Sequence, residues 1–458
     1  MLSVLRNRAY RHLFLAQVVA LVGTGLATVA LSLLAYDLAA GDASAVLGTA
    51  LAIKMIAYVV IAPVAGALAD RIPARALMAA MDLTRAGAAL VLPFVSEVWQ
   101  IYLTVLLLQA ASAAFTPTFQ AAIPRVLPDE HDYTRALSMS RLAYDLESLL
   151  SPVLAAVLLS AVSYGRLFTG TTIGFLASAA LVLSAALPKP APAERTRGVY
   201  SQAVFGSRLF FATPRLRALL ALDLAVAAAG AIVFVNTVVV VRDHFHRPAE
   251  AVSLALGAYG AGSMIAALVL PRVLAGIDDR TVMLPAAFAL PVVLAGGAAL
   301  LSAAPGSWSW AALLVVWALI GTAGSTILVP GGRLIRRSAA DADLPAVFAA
   351  RFSLSHACWL LTYPLAGGLG ASAGLALTAI VLAALALVAA VGAAVLWPAY
   401  DPDRLDHAHH DLPPEHPHLK DARLAAGTWR HGHHYVIDQH HRTWPRSEPK
   451  TTAANAGV

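Results

Sequence analysis

Histidine is concentrated near the end of this chain: ten of its fifteen histidines fall within residues 407–441. Neutral imidazole binds nickel, copper, zinc and cobalt, and the stretches HAHH and HGHH let two or three rings reach one ion. No cysteine accompanies them, which argues against a thiolate or Cu(I) site. The candidate metal ligands of this region are His407, His409, His410, His416, His418, His431, His433, His434, His440 and His441.

A second group of reactive residues lies inside long apolar segments. An ionised side chain in hydrocarbon costs about 2.5–3.5 kcal/mol, so each one is a functional candidate. Arg141 and Asp145 are four residues apart and can form a salt bridge on one helix face. Glu147 lies on another face, which leaves it available to exchange a proton or contact a cation. The alternative is that all three form one structural network.

His356, Asp223 and Lys54 are further candidates within apolar segments. His356 can ligate a metal or move a proton, although a lone helical histidine is often only hydrogen-bonded to a neighbour. Asp223 can face a substrate path or be a capped carboxylate. Lys54 suits a counter-charge for a membrane carboxylate, or direct coupling. Glu147, His356 and Asp223 are therefore the candidate metal ligands within the membrane.

The segments that carry these residues predict an all-α polytopic membrane protein. The chain has 458 residues, of which 59% are hydrophobic and only 13% charged. Apolar stretches long enough to span a bilayer recur six times before residue 187 and six times from residue 214 to 397. We expect twelve transmembrane helices in two six-helix bundles. The basic residues lie in short loops between these stretches, so the net charge of +6 does not indicate nucleic-acid binding.

The chain divides into four predicted parts: a bundle over 1–187, a cytoplasmic linker over 188–213, a second bundle over 214–397 and a tail over 398–458. The tail is rich in Pro, His and Asp, which predicts flexibility. Lysine and arginine favour the loops on the side of both termini, which predicts that both termini are cytoplasmic. We expect a monomer in a bacterial-type inner (plasma) membrane.

The segment GALADRIPAR, residues 66–75, lies in the predicted cytoplasmic loop between the second and third spans. Gly66 permits close helix approach, and Asp70 can pair with arginines or cap a neighbouring helix. Together with Arg71 and Arg75, these residues resemble the signature loop of the major facilitator superfamily, although Pro73 stands where that family usually carries glycine. The resemblance implies two bundles and a charge relay that locks one conformation.

Three further features refine the resemblance: YDLESLLSP in the fifth span, RFSLSHACWLLTYPLAG in the eleventh, and the histidine-rich tail. They are similar to the nickel-resistance (NreB-type) exporters of the superfamily. The resemblance implies a secondary exporter of Ni²⁺, or of Co²⁺ or Zn²⁺, by proton antiport. Its partners would be the bilayer, the metal ion and protons, and it requires no cofactor.

Two other functions remain open from the sequence. One is a siderophore or drug exporter of the same fold, with a tail that senses metal. The other is a membrane-anchored metal sensor that transports nothing. An enzyme is not expected, because the HExxH, GxSxG and phosphate-loop patterns are absent from the sequence.

Overall fold

A computed structural model gives the three-dimensional structure of the chain. It describes residues 2–39, 41–69, 73–129, 157–187, 199–339, 343–399, 404–409, 422–425 and 428–437, with single positions between 132 and 155 and at 401, 419, 441 and 444.

The first bundle contains five long helices. They are α1 (Arg8–Ala39), α2 (Ala43–Ala69), α3 (Ala74–Val91), α4 (Val98–Val126) and α5 (Tyr164–Ser184). The described positions between residues 136 and 159, where the fifth span is predicted, are also helical. Helix α1 packs against α5, and α2 packs against α4. These helices are rich in alanine and leucine, so their backbones can approach closely while lipid solvates the outer faces.

The second bundle is preceded by a linker helix and repeats the pattern of long apolar helices. The elements are α6 (Val199–Ala212), α7 (Pro214–Val239), α8 (Glu250–Val273), α9 (Asp279–Ser302), α10 (Ser309–Leu328), the short α11 (Gly331–Arg336), α12 (Leu344–Ser372) and α13 (Leu375–Leu396). Helix α7 is mostly apolar and almost wholly buried, as expected for a helix at the centre of a bundle, and it carries the buried polar residues Arg215, Asp223 and Asn236.

The number of spans agrees with the sequence-based prediction where the structure allows a comparison. Ten described helices are long and apolar enough to cross a membrane. The predicted eleventh span corresponds to α12, a helix of 29 residues that carries both Arg351 and His356. The chain is a polytopic helical membrane protein.

The two bundles contact each other along α2 and α12. A methyl group on Gly48 of α2 would lie only 2.8 Å from the Cα of Gly367 in α12, so these two glycines let the backbones touch. Nearby, Asn236 of α7 donates a hydrogen bond to Ser44 of α2 across 3.0 Å. These contacts join the bundles at the end of the molecule opposite the tail, called here the far end.

Part of the tail, for which the composition predicts flexibility, is described. These residues form a three-stranded antiparallel sheet: β1 (Arg404–His409), β2 (Arg423–Ala425) and β3 (Thr428–His434), in the order β1–β3–β2. The sheet does not rely on a core of its own. Tyr435 and Ile437, which follow β3, are buried in the same apolar cluster as α7 and Trp397 at the end of α13. Packing against the bundle supplies the burial that the composition lacks.

Candidate functional site

Lys54 and Glu147 form an electrostatic pair in the first bundle. Lys54 lies in the first half of α2, Glu147 is one of the described positions of the fifth span, and their charges interact. Gly25 of α1 provides space for the carboxylate, because a methyl group there would lie 2.7 Å from Glu147 Oε1. Glu147 is therefore a carboxylate within reach of the Lys54 charge, the kind of partner that a counter-charge role for Lys54 requires. The proposed partners Arg141 and Asp145 lie outside the described residues.

His356 lies on α12, across the bundle interface from Lys54. Its Nδ1 is 2.6 Å from the carbonyl oxygen of Phe352 and donates to it, which leaves Nε2 of the neutral ring as an acceptor or metal ligand. The ring packs 4.1 Å from Phe352 and 5.3 Å from Tyr58 of α2, measured between ring centroids. The ammonium group of Lys54 also acts on this imidazole. Two bundles thus bring a carboxylate, an amine and an imidazole into one region.

Asp223 of α7 has a partner that the sequence analysis did not single out. Arg351 of α12 places Nη2 at 3.3 Å from Asp223 Oδ1 and Nε at 3.5 Å from Oδ2. The Asp223 side chain is only 2% exposed, so this is a buried, two-point ion pair. The signal was present in the sequence, since RFSLSH places one arginine at the start of an apolar span. The pair ties α7 to α12.

The signature loop itself is described only in part. Gly66 lies at the end of α2 and Arg75 is exposed in the first turn of α3, whereas Asp70 and Arg71 lie outside the described residues. The loop at the equivalent position of the second bundle leads into a helix whose first residue forms ion pairs. Asp279, at the start of α9, is fully buried and pairs with two arginines that follow α10, at 3.4 Å from Arg333 and 3.5 Å from Arg337.

A further buried ion pair in α3 was missed. Asp82 and Arg85 contact each other, and Ser178 of α5 donates a hydrogen bond to Asp82 across 2.7 Å. The guanidinium lies 4.4 Å from the ring of Phe115 and 4.6 Å from that of Phe175. The sequence signal is a charged pair at positions i and i+3 within an otherwise apolar span, as in MDLTRAG.

Aromatic side chains gather beside these polar groups. Phe234 of α7 lies 5.2 Å from Tyr259 of α8 and 5.8 Å from Trp359 of α12, and the Trp359 ring lies 5.0 Å from that of Tyr363, measured between centroids. Aromatic residues are only 7% of the chain, yet these four lie together among three helices of the second bundle. Composition alone gives a misleading impression of how aromatic this region is.

The tail sheet gathers the imidazoles that the sequence marked as metal ligands. His407 of β1 pairs directly with His431 of β3, and His433 lies two residues further on the same face. One nitrogen from each of these three rings lies within 4.8 Å of the others, and within the part of the chain that the structure describes this is the candidate metal cluster. His441 joins them, with its Nε2 3.0 Å from Nε2 of His407.

The structure describes only some of the remaining predicted ligands. His409 and His434 lie in β1 and β3, respectively. His410, His416, His418 and His440 lie outside the described residues. Four of the ten predicted ligands thus lie together in the described part of the tail: His407, His431 and His433 in the sheet, and His441 beyond it.

Two bundles of long apolar helices with ion pairs buried among them are typical of membrane transporters. The Major Facilitator Superfamily model matches residues 13–241, half of the chain. The chain belongs to this superfamily.

Curated relatives match over a shorter region. An uncharacterized MFS-type transporter, YfiS of Bacillus subtilis, is 27% identical over 150 residues, which is 31% of this chain and 35% of that protein. Macrolide efflux protein A of Enterococcus faecalis is 26% identical over 153 residues, which is 31% of this chain and 47% of that protein. The matched region therefore spans less than half of each relative.

Solved structures share the fold over most of the chain. The nucleoside transporter NupG, as its D323A mutant, aligns with a TM-score of 0.69 at 14% identity, covering 85% of this chain and all of that one. A bacterial homologue of the lysosomal transporter Spinster aligns with a TM-score of 0.63 at 11% identity, covering 85% of this chain and 96% of that one. At these identities the likeness concerns the fold alone.

Proposed function

We propose that this protein exports a divalent transition metal ion, with Ni²⁺ as the first candidate, in exchange for protons. The observation that supports this most directly is the cluster of His407, His431 and His433, whose nitrogens lie within 4.8 Å of one another. Imidazole clusters of this kind favour borderline divalent ions, among which nickel is preferred here on resemblance. On the predicted cytoplasmic side, the cluster is placed to receive ions before export.

The membrane groups provide a means of coupling. Glu147 interacts with Lys54 on one side of the bundle interface, and the imidazole of His356 lies on the other side. Metal ions and protons compete for the same lone pairs, so a site that alternates between the two faces of the membrane can exchange one for the other. In this proposal, Glu147 and His356 bind the cation when deprotonated and release it when protonated. Asp223, held by Arg351, positions α7 against α12.

The test uses inside-out vesicles with an imposed proton gradient and radioactive ⁶³Ni²⁺. Wild-type vesicles should accumulate the ion, and Glu147→Gln or His356→Gln should reduce uptake to the level of empty vesicles. Glu250→Gln, at the start of α8 and remote from the interface, is the matched control and should keep full activity. Gradient-independent uptake, or full activity in both site variants, contradicts the proposal.

A second candidate is efflux of an amphipathic organic compound. The aromatic group of Phe234, Tyr259, Trp359 and Tyr363 favours it, because clustered aromatic rings can hold a large apolar or cationic substrate. The similarity to macrolide efflux proteins points the same way. The same vesicles test this candidate with a labelled macrolide. Macrolide uptake that is lost in Trp359→Ala, together with no uptake of Ni²⁺ by the wild type, would favour this function over metal export.

A further inference from the structure

The tail sheet brings four imidazole rings to one point. The ring centroid of His407 lies 4.7 Å from that of His431, 4.7 Å from that of His433 and 4.8 Å from that of His441. Four nitrogens bound at 2.0–2.1 Å to one ion in a tetrahedron are about 3.3 Å apart. The 3.0 Å between Nε2 of His407 and Nε2 of His441 is already close to that separation.

The orientation of His407 is that of a metal ligand. Its Nδ1 lies 3.0 Å from the carbonyl oxygen of Leu405 and donates to it. Ligating histidines commonly donate their second ring nitrogen to a carbonyl in this way, because the contact fixes the tautomer and the ring direction. Nε2 of His407 is therefore the atom with a lone pair directed at the other rings. Both His407 and His441 are largely buried, at 7% and 3% exposure.

The cluster is in contact with the membrane bundle through Tyr435. The ring of Tyr435 lies 4.9 Å from that of His407 and 4.5 Å from that of His441. Its carbonyl oxygen accepts a hydrogen bond of 3.5 Å from Arg215, the second residue of α7. Trp444 contacts both partners, with its ring 5.2 Å from that of Tyr435 and 4.9 Å from the Arg215 guanidinium.

Charged contacts extend this connection to a second helix. Arg215 pairs with Asp401 at 3.3 Å, and the backbone oxygen of Asp401 accepts from Arg337 at 3.2 Å. Arg337 also pairs with Asp279, the first residue of α9. The segment that leads into β1 is thus linked to the tail-side ends of α7 and α9. Any change in how firmly the sheet is held is transmitted to these two helix ends.

We propose that His407, His431, His433 and His441 bind a single divalent cation as a fixed four-imidazole site, and that occupancy holds the tail sheet against the start of α7. This inference rests on the proposed function for the identity of the cation. It makes the tail a metal-responsive clamp on the second bundle: the sheet is held firmly when cytoplasmic metal is abundant and loosely when it is scarce.

The test is hydrogen exchange on the full-length protein in lipid nanodiscs, first treated with chelator and then titrated with Ni²⁺, Zn²⁺ or Co²⁺. A ligand that binds only the closed form slows exchange by the factor 1 + [L]/Kd, so a hundredfold excess over Kd gives about a hundredfold slowing. We expect this in β1 and β3, and also at the amides of Leu216 and Arg217, which bond to Thr213 at the start of α7. Metal binding itself, measured by equilibrium dialysis, should saturate at one equivalent per chain.

Three variants separate binding from clamping. His441→Ala removes the fourth ligand but no strand residue, and should weaken metal binding and abolish both protections. Trp444→Ala leaves all four ligands in place, so it should keep the protection of the strands and lose that of α7. His12→Ala, on α1 of the other bundle, should behave as wild type.

The outcomes that overturn the inference are specific. If metal slows hydrogen exchange in the strands but never at the start of α7 in the wild type, the tail binds metal without holding the second bundle. Binding of several weak equivalents, unaffected by His441→Ala, shows separate imidazoles instead of one site. Vesicles that fail to transport Ni²⁺ while Leu216 and Arg217 are still protected refute the export proposal and leave the clamp standing.

Discussion

Arg351→Leu is the most informative single substitution, because it removes one partner of the buried ion pair with Asp223. The Asp223 carboxylate is 2% exposed, so water cannot take the place of the guanidinium. Breaking a buried pair typically costs about 3–5 kcal/mol, mostly from the uncompensated charge left behind. Burial of Asp223 is the reason to expect a loss of this size, since the two contacts themselves are 3.3 and 3.5 Å long.

The partially exposed pair between Arg333 and Asp279 gives the comparison. The Arg333 side chain is 47% exposed, against 16% for Arg351, and Asp279 also pairs with Arg337. Arg333→Leu therefore leaves a carboxylate that still has a partner and should cost about 1 kcal/mol or less. Both substitutions replace arginine with leucine, so the difference between their losses of unfolding free energy reports the burial and the remaining partners of each carboxylate.

The assay is reversible unfolding in mixed micelles of mild detergent and SDS, followed by circular dichroism. The double variant Asp223→Asn/Arg351→Leu removes both charges and should recover at least about 2 kcal/mol relative to Arg351→Leu. Equal losses for Arg351→Leu and Arg333→Leu would refute the reasoning. So would a double variant as unstable as Arg351→Leu alone.

Three further predictions concern contacts within and between the bundles. Gly48→Val should separate α2 from α12 at the far end and reduce transport by about tenfold or more, because overpacking costs about 1–3 kcal/mol. Uptake into vesicles measures this loss of transport. The control is Gly87→Val, at a site with open space, which should leave uptake unchanged. Arg85→Leu should strongly lower the apparent melting temperature in detergent, since it leaves the buried carboxylate of Asp82 without its ion-pair partner Arg85. Tyr36→Phe removes a hydrogen bond between the bundles at the far end and should increase labelling of engineered cysteines there by a membrane-impermeant maleimide.

Each of these has an outcome that contradicts it. Full uptake by Gly48→Val shows that the backbones need not touch during the cycle. An unchanged melting temperature for Arg85→Leu shows that Asp82 finds another partner. Unchanged labelling of Tyr36→Phe shows that the close packing of α2 and α12 alone holds the far end together.

The membrane part of the fold was predictable because lipid imposes one strong rule. Backbone groups in hydrocarbon must bond within their own segment, so long apolar stretches form helices almost regardless of detail. The partners of the buried charges were not predictable in the same way. Asp223 and Arg351 are far apart in sequence, and only the packing of α7 on α12 brings them together. Lys54 and Glu147 illustrate the same limit.

The tail shows why composition alone does not predict the strands. Its few apolar residues cannot support an independent core, and the sequence therefore predicts flexibility. Tyr435 and Ile437, however, are buried against the membrane bundle, whose surface the composition of the tail does not describe. The alternation His-x-His at 407–409 and 431–433 was a usable signal for strands, because a period of two places such residues on one face.

Because β1 pairs with β3, the arrangement of the imidazoles depends on the exact number of residues in these strands more than on how many histidines the tail contains. His407 faces His431 only in the present register, and sliding one strand by a single residue exchanges its two faces. A one-residue deletion in β3 would set Gly432 and His434 where His431 and His433 now converge. Such a deletion keeps nearly every histidine of the tail but moves the imidazole nitrogens away from one another. In-frame insertions and deletions in β3 should therefore impair metal binding far more than most single substitutions.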